Sequence, residues 1–254
     1  MTVGVDVADG IAELVVDSPP VNALSIADLA ELRAALSDAG ADPTVRVVLL
    51  RSEGRGFCGG GDVKEVQSLP GFAGILGQAH GSLDTSLAIA ECPVPVVGAV
   101  HGYCVGLGVL LAGTCDVLLA AEGTPFVLAE VDNGATSGVV QALGLLPEKR
   151  VLSAMLTAEP FLAEELHRYG SVYRVTTAGD LVASARSVAA TVAAKRTEVV
   201  RRLKLSARGT FGRDLRQLYR AELSHTFELN MLGEASAARQ TFVDGSRPGY
   251  LAGA

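Results

Sequence analysis

Two glycine-rich segments, each preceded by an apolar run that favours a β-strand, constrain this chain more than any other feature. The first is residues 53–62 (EGRGFCGGGD) after the run 45–51, and the second is residues 102–108 (GYCVGLG) after the run 94–100. Glycine has no Cβ, so such loops turn tightly and allow a ligand to approach the backbone closely. If one N–H from each loop points to the same oxygen atom, the pair forms an oxyanion hole. The sequence therefore predicts a site in which backbone groups stabilise a negative charge.

Strand and helix patterns alternate around these loops. Strand patterns occur at residues 3–7 and 11–15, joined by an Asp9-Gly10 turn, and at 45–51, 94–100 and 116–121; helical patterns occur at 25–39, 73–91 and 105–113, with a short helix from Asp62. The central strand patterns are almost continuously apolar, which is typical of parallel strands covered on both faces. The order of elements predicts an α/β core with mainly parallel strands.

The second half of the chain is mostly helical. Helical patterns follow residue 145 at 147–157, 161–169, 179–194 and 196–232, with one strand signal at 171–175. We therefore predict a spiral-like α/β core over residues 1–192 and a C-terminal helical region over residues 193–254. Such a helical region often packs on a neighbouring subunit.

Charge and cysteine content exclude several classes of function. The 254 residues include 21 Lys and Arg against 28 Asp and Glu, for a net charge of −7, so no basic field indicates a nucleic-acid partner. Cys58, Cys92, Cys104 and Cys115 form no C-x-x-C pair, and the histidines have no spacing typical of a metal site. A signal peptide begins with a positively charged region, and residues 1–25 contain no basic residue that could form one. We expect a cytoplasmic protein with reduced thiols and no metal.

One segment tests the expectation that the protein is not a membrane protein. Residues 92–115 contain no Asp, Glu, Lys or Arg, and the segment is long enough to cross a bilayer. However, Pro93, Pro95 and five glycines interrupt it. The pattern favours a buried strand–loop–helix unit over a membrane span.

The order and spacing of the short motifs resemble those of the crotonase (enoyl-CoA hydratase/isomerase) superfamily over nearly the whole chain. The matching segments are residues 20–24 (PVNAL), 53–57 (EGRGF), 60–65 (GGDVKE), 93–97 (PVPVV), 102–106 (GYCVG) and 114–116 (TCD), together with Phe126 and Glu130. The resemblance implies a crotonase-like ββα spiral fold that assembles into a homotrimer or a hexamer, a dimer of trimers.

The resemblance also implies a substrate class and a set of contacts. The substrate is expected to be an acyl-CoA thioester, with coenzyme A as part of the substrate and no separate cofactor. The oxyanion-hole donors are expected to be the backbone N–H groups of Gly61 and Leu107. Gly61, Asp62, Val63 and Lys64 are expected to bind CoA through the adenine pocket, and Lys204 is a further candidate for a CoA phosphate.

The acid–base residues differ from those of the family's hydratases. By resemblance, hydratases carry one glutamate at the position of Leu110 and a second at that of Glu130, so only the second is present here. Residues 126–131 (FVLAEV) are apolar, which predicts partial burial of Glu130 and a raised pKa suited to a general base. Leu110, His101 and Asp132 are expected to line the acyl pocket.

Three functions remain open at this stage. A single glutamate is typical of the family's double-bond isomerases, although Gly138 replaces the aspartate of the dienoyl isomerases. Short runs at residues 53–57, 64–67, 91–95, 170–172, 193–195 and 226–230 resemble the crotonases of bacterial sterol catabolism that hydrolytically open a ring of a CoA-linked steroid remnant. That ring-opening reaction is favoured, the isomerase is the alternative, and a non-catalytic acyl-CoA-binding protein is the alternative of another class.

Overall fold

The computed structural model describes residues 2–211 and 214–246. Its strands are β1 (Val3–Ala8), β2 (Ile11–Val16), β3 (Ala23–Leu24), β4 (Val47–Ser52), β5 (Gly60–Gly61), β6 (Val96–Val100), β7 (Cys104–Val105), β8 (Val117–Ala121), β9 (Pro125–Val127), β10 (Phe161–Leu162) and β11 (Arg174–Thr176). Its helices are α1 (Ile26–Ala41), α2 (Val63–Ser68), α3 (Ala73–Glu91), α4 (Leu107–Thr114), α5 (Val139–Ala142), α6 (Glu148–Thr157), α7 (Ala163–Tyr169), α8 (Leu181–Ala193), α9 (Thr197–Thr210), α10 (Leu215–Met231) and α11 (Glu234–Val243).

The predicted α/β core is confirmed. A six-stranded sheet has the order β1-β2-β4-β6-β8-β11, in which β1 pairs antiparallel with β2 and the other neighbours are parallel. The β1–β2 turn has positive φ at both Asp9 and Gly10, as expected for the two-residue hairpin turn. The strand signal at residues 171–175 corresponds to β11, which begins three residues later.

Both faces of the parallel strands are covered, as their continuous apolar sequence predicts. On one face, Val48 and Leu50 of β4 belong to the main core beneath α1 and α3. On the other face, Val47 and Leu49 pack in a smaller core against α8. Alternate residues of one strand therefore anchor two helical layers, because successive side chains of a strand point to opposite faces.

The two glycine-rich loops follow neighbouring strands, and this brings them together. Parallel strands β4 and β6 end on the same side of the sheet, and each is followed by one loop. Phe57 N–H lies 2.9 Å from the carbonyl oxygens of both His101 and Tyr103, and Val105 N–H donates to the Cys58 oxygen at 2.9 Å. The loops are thus hydrogen-bonded to each other beside the carboxyl ends of the strands, where open α/β sheets bind ligands.

Residues 92–115 form β6, β7 and α4, so the predicted buried strand–loop–helix unit is confirmed. Among the described residues, no helix combines the length and apolar character that a membrane span requires.

The helices after β11 extend the core. The segment predicted as helical at residues 196–232 is divided into α9 and α10, and α11 follows as a helix that the sequence patterns did not indicate. α10 packs against α3 and α5, and α11 packs against α2. The boundary predicted between residues 192 and 193 falls at the end of α8, and the trimer-forming role of the region stays a prediction.

Candidate active site

A cavity of about 620 Å³ lies between the two glycine-rich loops and the C-terminal helices. Its walls come from Gly59–Lys64 and Val105–Leu107, from α3, from the segment after β9, and from α10 and α11. A largely apolar cleft of this size, with a few polar groups, is typical of a small-molecule site. Segments that are far apart in the sequence therefore line one cavity.

The two predicted oxyanion donors both lie on this cavity. Leu107 is the first residue of α4, so its N–H has no carbonyl partner within the helix. The unusual backbone conformation falls on Gly106, with φ +50°, so Leu107 itself is in helical conformation and its side chain causes no strain.

The backbone at Gly61 is oriented by the β3–β5 pairing. Asp62 N–H donates to the Leu24 oxygen at 2.9 Å, and alternate N–H groups of a strand point to opposite sides, so the Gly61 N–H points away from β3. Outside helices and strands, no backbone hydrogen bond of the described residues uses the N–H of Gly61 or Leu107. Both groups can therefore donate to a ligand.

The predicted CoA-binding residues 61–64 also line the cavity. Asp62 is the N-cap of α2, and its side chain accepts hydrogen bonds from the N–H groups of Lys64 and Glu65 at 2.9 and 3.0 Å. Both hydrogen bonds are accepted by Oδ1, so this carboxylate helps to fix the start of α2 at the cavity. The Lys64 side chain is exposed at the edge of the cavity.

Glu130 is buried, with 8% of its surface exposed, and it lines the cavity. It follows β9 and precedes a 3-10 turn at Val131–Asn133, and its carbonyl oxygen accepts from Asn133 and Ala135 N–H. One carboxyl oxygen, Oε2, is buried without a hydrogen-bond partner among the described residues. Burial raises the pKa of Glu130 to about 8, with a smaller contribution from the charge of Glu222. A carboxyl group with this pKa can exchange protons near neutral pH.

Leu110 is buried and lines the cavity, as predicted. A Cβ added at Gly138 would lie 2.9 Å from Leu110 Cδ1, so the two positions at which the sequence departs from hydratases and dienoyl isomerases are in contact. An apolar side chain therefore fills the place where a second acid–base group would act. The site contains Glu130 without that second group.

Two further predictions for the acyl pocket are wrong. His101 is half-buried at the end of β6 with Nε2 3.1 Å from the Gly54 oxygen, and it does not line the cavity. Asp132 lies in the 3-10 turn after Glu130, and the cavity wall there is formed by Asn133 instead. Both errors arise because proximity along the chain does not determine the direction of a side chain.

The prediction for Lys204 is also corrected. Its ammonium group is buried beneath α9 and donates to the carbonyl oxygens of Ile89 and Val94 at 3.2 and 3.1 Å and to Asp116 Oδ2 at 2.7 Å. An ammonium has three N–H donors, so none remains for a CoA phosphate. Lys204 is a structural residue that joins α9 to the core.

Several residues of α10 contribute to the site without having been predicted from the sequence. Tyr219 and Thr226 are buried and line the cavity, and Tyr219 is hydrogen-bonded to Ser137 and Ser82. The Glu222 carboxylate accepts from the N–H groups of Gly138, Val139 and Val140 at 2.7, 3.2 and 2.9 Å and caps α5. Leu223 also lines the cavity. The only sequence signal for this face of α10 was the regular helical spacing of Tyr219, Glu222, Leu223 and Thr226.

Two other missed residues carry polar groups on the cavity wall. Gln78 of α3 packs on Gly61, and its Oε1 atom is buried without a hydrogen-bond partner among the residues described. Arg239 of α11 is 7% exposed and reaches the cavity from the side of the C-terminal helices. Nothing in the local sequence around either residue indicates a site.

Comparison with known proteins agrees with this geometry. A family model described as enoyl-CoA hydratase/isomerase matches residues 6–249. A Rhodococcus jostii protein named (7aS)-7a-methyl-1,5-dioxo-2,3,5,6,7,7a-hexahydro-1H-indene-carboxyl-CoA hydrolase is 40% identical over 240 residues, which cover 94% of this chain and 93% of the relative. A Mycobacterium tuberculosis protein of the same name is 38% identical over 234 residues, 92% of this chain and 95% of the relative.

Solved structures show the same fold. An enoyl-CoA hydratase/isomerase from Xanthobacter autotrophicus superposes with a TM-score of 0.86 at 26% identity, covering 96% of this chain and 92% of the other. An enoyl-CoA hydratase from Bacillus halodurans superposes with a TM-score of 0.86 at 16% identity, covering 95% of this chain and 100% of the other. The predicted crotonase fold and the nearer resemblance to the ring-opening branch are both confirmed.

Proposed function

Because the chain belongs to the enoyl-CoA hydratase/isomerase family, we propose that it is an enzyme that hydrolytically opens the ring of a cyclic β-keto acyl-CoA thioester. The observation that carries this proposal is Glu130, which among the described residues is the single buried carboxyl group on a cavity with two backbone N–H donors and an apolar Leu110. The relatives at 40% and 38% identity are named as hydrolases of a bicyclic dioxo acyl-CoA. The substrate class is therefore a fused-ring β-keto thioester.

The first step requires a base and a water molecule. The ionised Glu130 carboxylate removes a proton from water as the water oxygen attacks the ring ketone, which produces a tetrahedral alkoxide. The buried surroundings of Glu130 raise its pKa to about 8, which makes the carboxylate a stronger base than an exposed glutamate. One carboxyl group suffices for this step.

The second step breaks the ring. The alkoxide collapses to a carboxylic acid, and the bond between the former ketone carbon and the α-carbon of the thioester breaks. The electron pair moves to the thioester oxygen as an enolate, which the N–H groups of Gly61 and Leu107 stabilise. Protonated Glu130 then returns its proton to the α-carbon, so the glutamate is regenerated as a carboxylate and the new acid ionises to solvent.

Two observations distinguish this reaction from its alternatives. Hydration of a double bond requires delivery of both hydroxide and a proton, for which the hydratases use two glutamates; Leu110 here supplies neither. Burial of the Glu130 carboxyl group disfavours its charged form and so costs free energy. A non-catalytic acyl-CoA-binding protein would gain nothing in return for that cost. Retention of Glu130 on the cavity therefore supports catalysis.

We propose that CoA enters along residues 61–64, with the backbone of Gly61–Val63 at the adenine and Lys64 near a phosphate. The exposed position of Lys64 at the cavity edge supports this orientation. The acyl group then extends inward to Glu130, towards α10 and α11.

We also propose that the protein is a homotrimer or a dimer of trimers. Large apolar side chains of α9, of the residue after it and of the C-terminal end of α10 are exposed in the single chain: Val199, Leu203, Leu205, Phe211, Met231 and Leu232. Exposed apolar surface of this extent is typical of a subunit interface. Sedimentation velocity of the purified protein tests the trimer.

The decisive test of the reaction is an assay with a bicyclic β-keto acyl-CoA. We expect one water to be incorporated per turnover, with the product gaining a carboxylate and keeping its thioester. Mass spectrometry in H₂¹⁸O should place one heavy oxygen in the new carboxylate. Release of free CoA would identify a simple thioesterase, and a shifted double bond without added water would identify an isomerase.

A further inference from the structure

Arg239 is a buried cation on the cavity wall. Its guanidinium donates from Nε to Gln67 Oε1 at 3.3 Å and from Nη2 to Asn230 Oδ1 at 2.8 Å, and both acceptors are neutral amides. Among the described residues, no carboxylate lies within ion-pair distance of it, whereas Arg51 and Arg150 each face a glutamate. Burial lowers the pKa of Arg239, although a guanidinium stays charged in proteins. A buried charge without a counter-ion is unfavourable unless a bound anion neutralises it.

Arg239 belongs to a helix that packs against the segment following Glu130. Ala235 packs directly on Gly134, four residues after Glu130, and Arg239 is one helical turn further along the same face of α11. Its partner Gln67 belongs to α2, three residues after Lys64. Arg239 therefore lines the cavity where α11 packs on both α2 and the turn that follows Glu130.

Resting on the proposed function, we infer that Arg239 binds the carboxylate released by ring opening and the alkoxide that precedes it. Ring-opening hydrolysis places negative charge at two separate atoms, the thioester enolate oxygen and the oxygen of the attacked ketone. The N–H groups of Gly61 and Leu107 stabilise the enolate oxygen, which leaves the oxygen of the attacked ketone for another donor. A guanidinium, with its forked N–H donors, matches a carboxylate in geometry and charge. Double-bond isomerisation creates no second anion, so this residue fits hydrolysis.

Binding without turnover tests the inference. A six-membered β-keto ring opens to a seven-carbon dicarboxylic monothioester, so pimeloyl-CoA reproduces the terminal carboxylate and heptanoyl-CoA lacks it. For wild type, we expect calorimetry to give about 10- to 100-fold tighter binding of pimeloyl-CoA, the usual effect of a charge-assisted hydrogen bond. In Arg239→Gln this preference should vanish while heptanoyl-CoA affinity is unchanged, and Arg239→Lys should keep part of it.

Two controls identify the anion and exclude misfolding. Arg216→Gln removes an exposed arginine of α10 that pairs with Glu91, and it should leave the preference intact. The corresponding pantetheine thioesters lack the nucleotide phosphates, and the preference should persist with them. If Arg239→Gln instead weakens every CoA ester and no pantetheine ester, the bound anion is a phosphate and the inference is wrong. The affinities of pimeloyl-CoA and heptanoyl-CoA are compared on the wild-type protein, so the inference can be tested even if the Arg239→Gln variant does not fold.

The result of this binding test can be distinguished from the result of the ring-opening assay that tests the proposed function. Equal wild-type affinity for pimeloyl-CoA and heptanoyl-CoA overturns the carboxylate site even if ring opening is observed. A clear preference that Arg239→Gln abolishes supports the site even if the particular bicyclic substrate tested is not turned over.

Discussion

The Glu130 carboxyl group lies directly against Gly106, such that a Cβ added to Gly106 would be 3.3 Å from Glu130 Oε1. Gly106 is the N-cap of α4 and immediately precedes Leu107, whose N–H is an oxyanion donor in the proposed mechanism. Gly106 N–H also donates to the Val127 oxygen at 2.8 Å, which joins this loop to the strand before Glu130. The proposed base and one oxyanion donor are therefore positioned by the same glycine.

Gly106→Ala should damage both functions of this loop. Gly106 has φ +50° and ψ −114°, a conformation that L-residues disfavour, and the added methyl group would contact the Glu130 carboxyl. We expect the free energy of unfolding to fall by about 1–3 kcal/mol, the usual cost of such strain. The turnover number should fall further than the stability loss explains. Gly54→Ala, at an unobstructed glycine with φ +79°, is the control that should lose stability and keep activity.

Glu130→Gln should remove the base while keeping the size of the side chain. We expect kcat/KM to fall about 10²- to 10⁴-fold, the usual contribution of a general base. Because Glu130 must be ionised to act and its pKa is about 8, wild-type kcat/KM should rise with pH and level off above pH 8. This rising limb should be absent from the residual activity of the variant. A wild-type profile that is flat from pH 6 to 9 would contradict the assignment.

The raised pKa of Glu130 also predicts an effect on stability. The folded protein holds this proton up to about pH 8, whereas the unfolded chain releases it near pH 4.5, so ionisation penalises the folded state as pH rises between these values. Glu130→Gln removes the penalty. The difference in unfolding free energy, variant minus wild type, should therefore grow from pH 5 to 8 and remain constant above. Urea denaturation across this range measures it, with exposed Glu228→Gln as the matched control.

Crotonyl-CoA hydration should be very slow. Leu110 occupies the position of the first hydratase glutamate by resemblance, and a buried leucine neither binds water nor transfers a proton. The absorbance of the enoyl thioester reports the reaction. A turnover on the order of 10 s⁻¹, the median for enzymes, would show that one carboxyl group is sufficient for hydration here.

Lys204→Met should affect stability rather than ligand binding. The substitution leaves Asp116 and two backbone carbonyl oxygens without their buried donor, and an unsatisfied buried group costs about 1–3 kcal/mol. We expect a lower denaturation midpoint and unchanged affinity for a CoA thioester. A large loss of affinity in a stable, folded variant would restore the original prediction that Lys204 contacts CoA. Exposed Lys64→Met provides the contrast, with weaker CoA affinity and little loss of stability.

The sequence by itself determined the local elements and the backbone part of the site. Apolar runs separated by glycine loops predicted the parallel strands, and the helical pattern at residues 25–39 corresponds to α1, at whose start Ser25 and Asp28 form a capping box. Gly61, Leu107, Leu110 and Glu130 were all predicted, and all line the cavity. Their place on the cavity could be predicted because short-range patterns and the motifs of a known family describe contiguous segments of chain, whereas their roles stay predictions.

Only the tertiary structure decided which distant side chains face the cavity. Tyr219 and Arg239 come from helices more than eighty residues after Glu130, and their direction depends on how α10 and α11 pack against α2, α3 and α5. Lys204 was misassigned because a charged residue on an amphipathic helix is normally exposed, whereas here three acceptors from the core satisfy it. Burial and packing across the fold are long-range properties, and no local pattern of residues contains them.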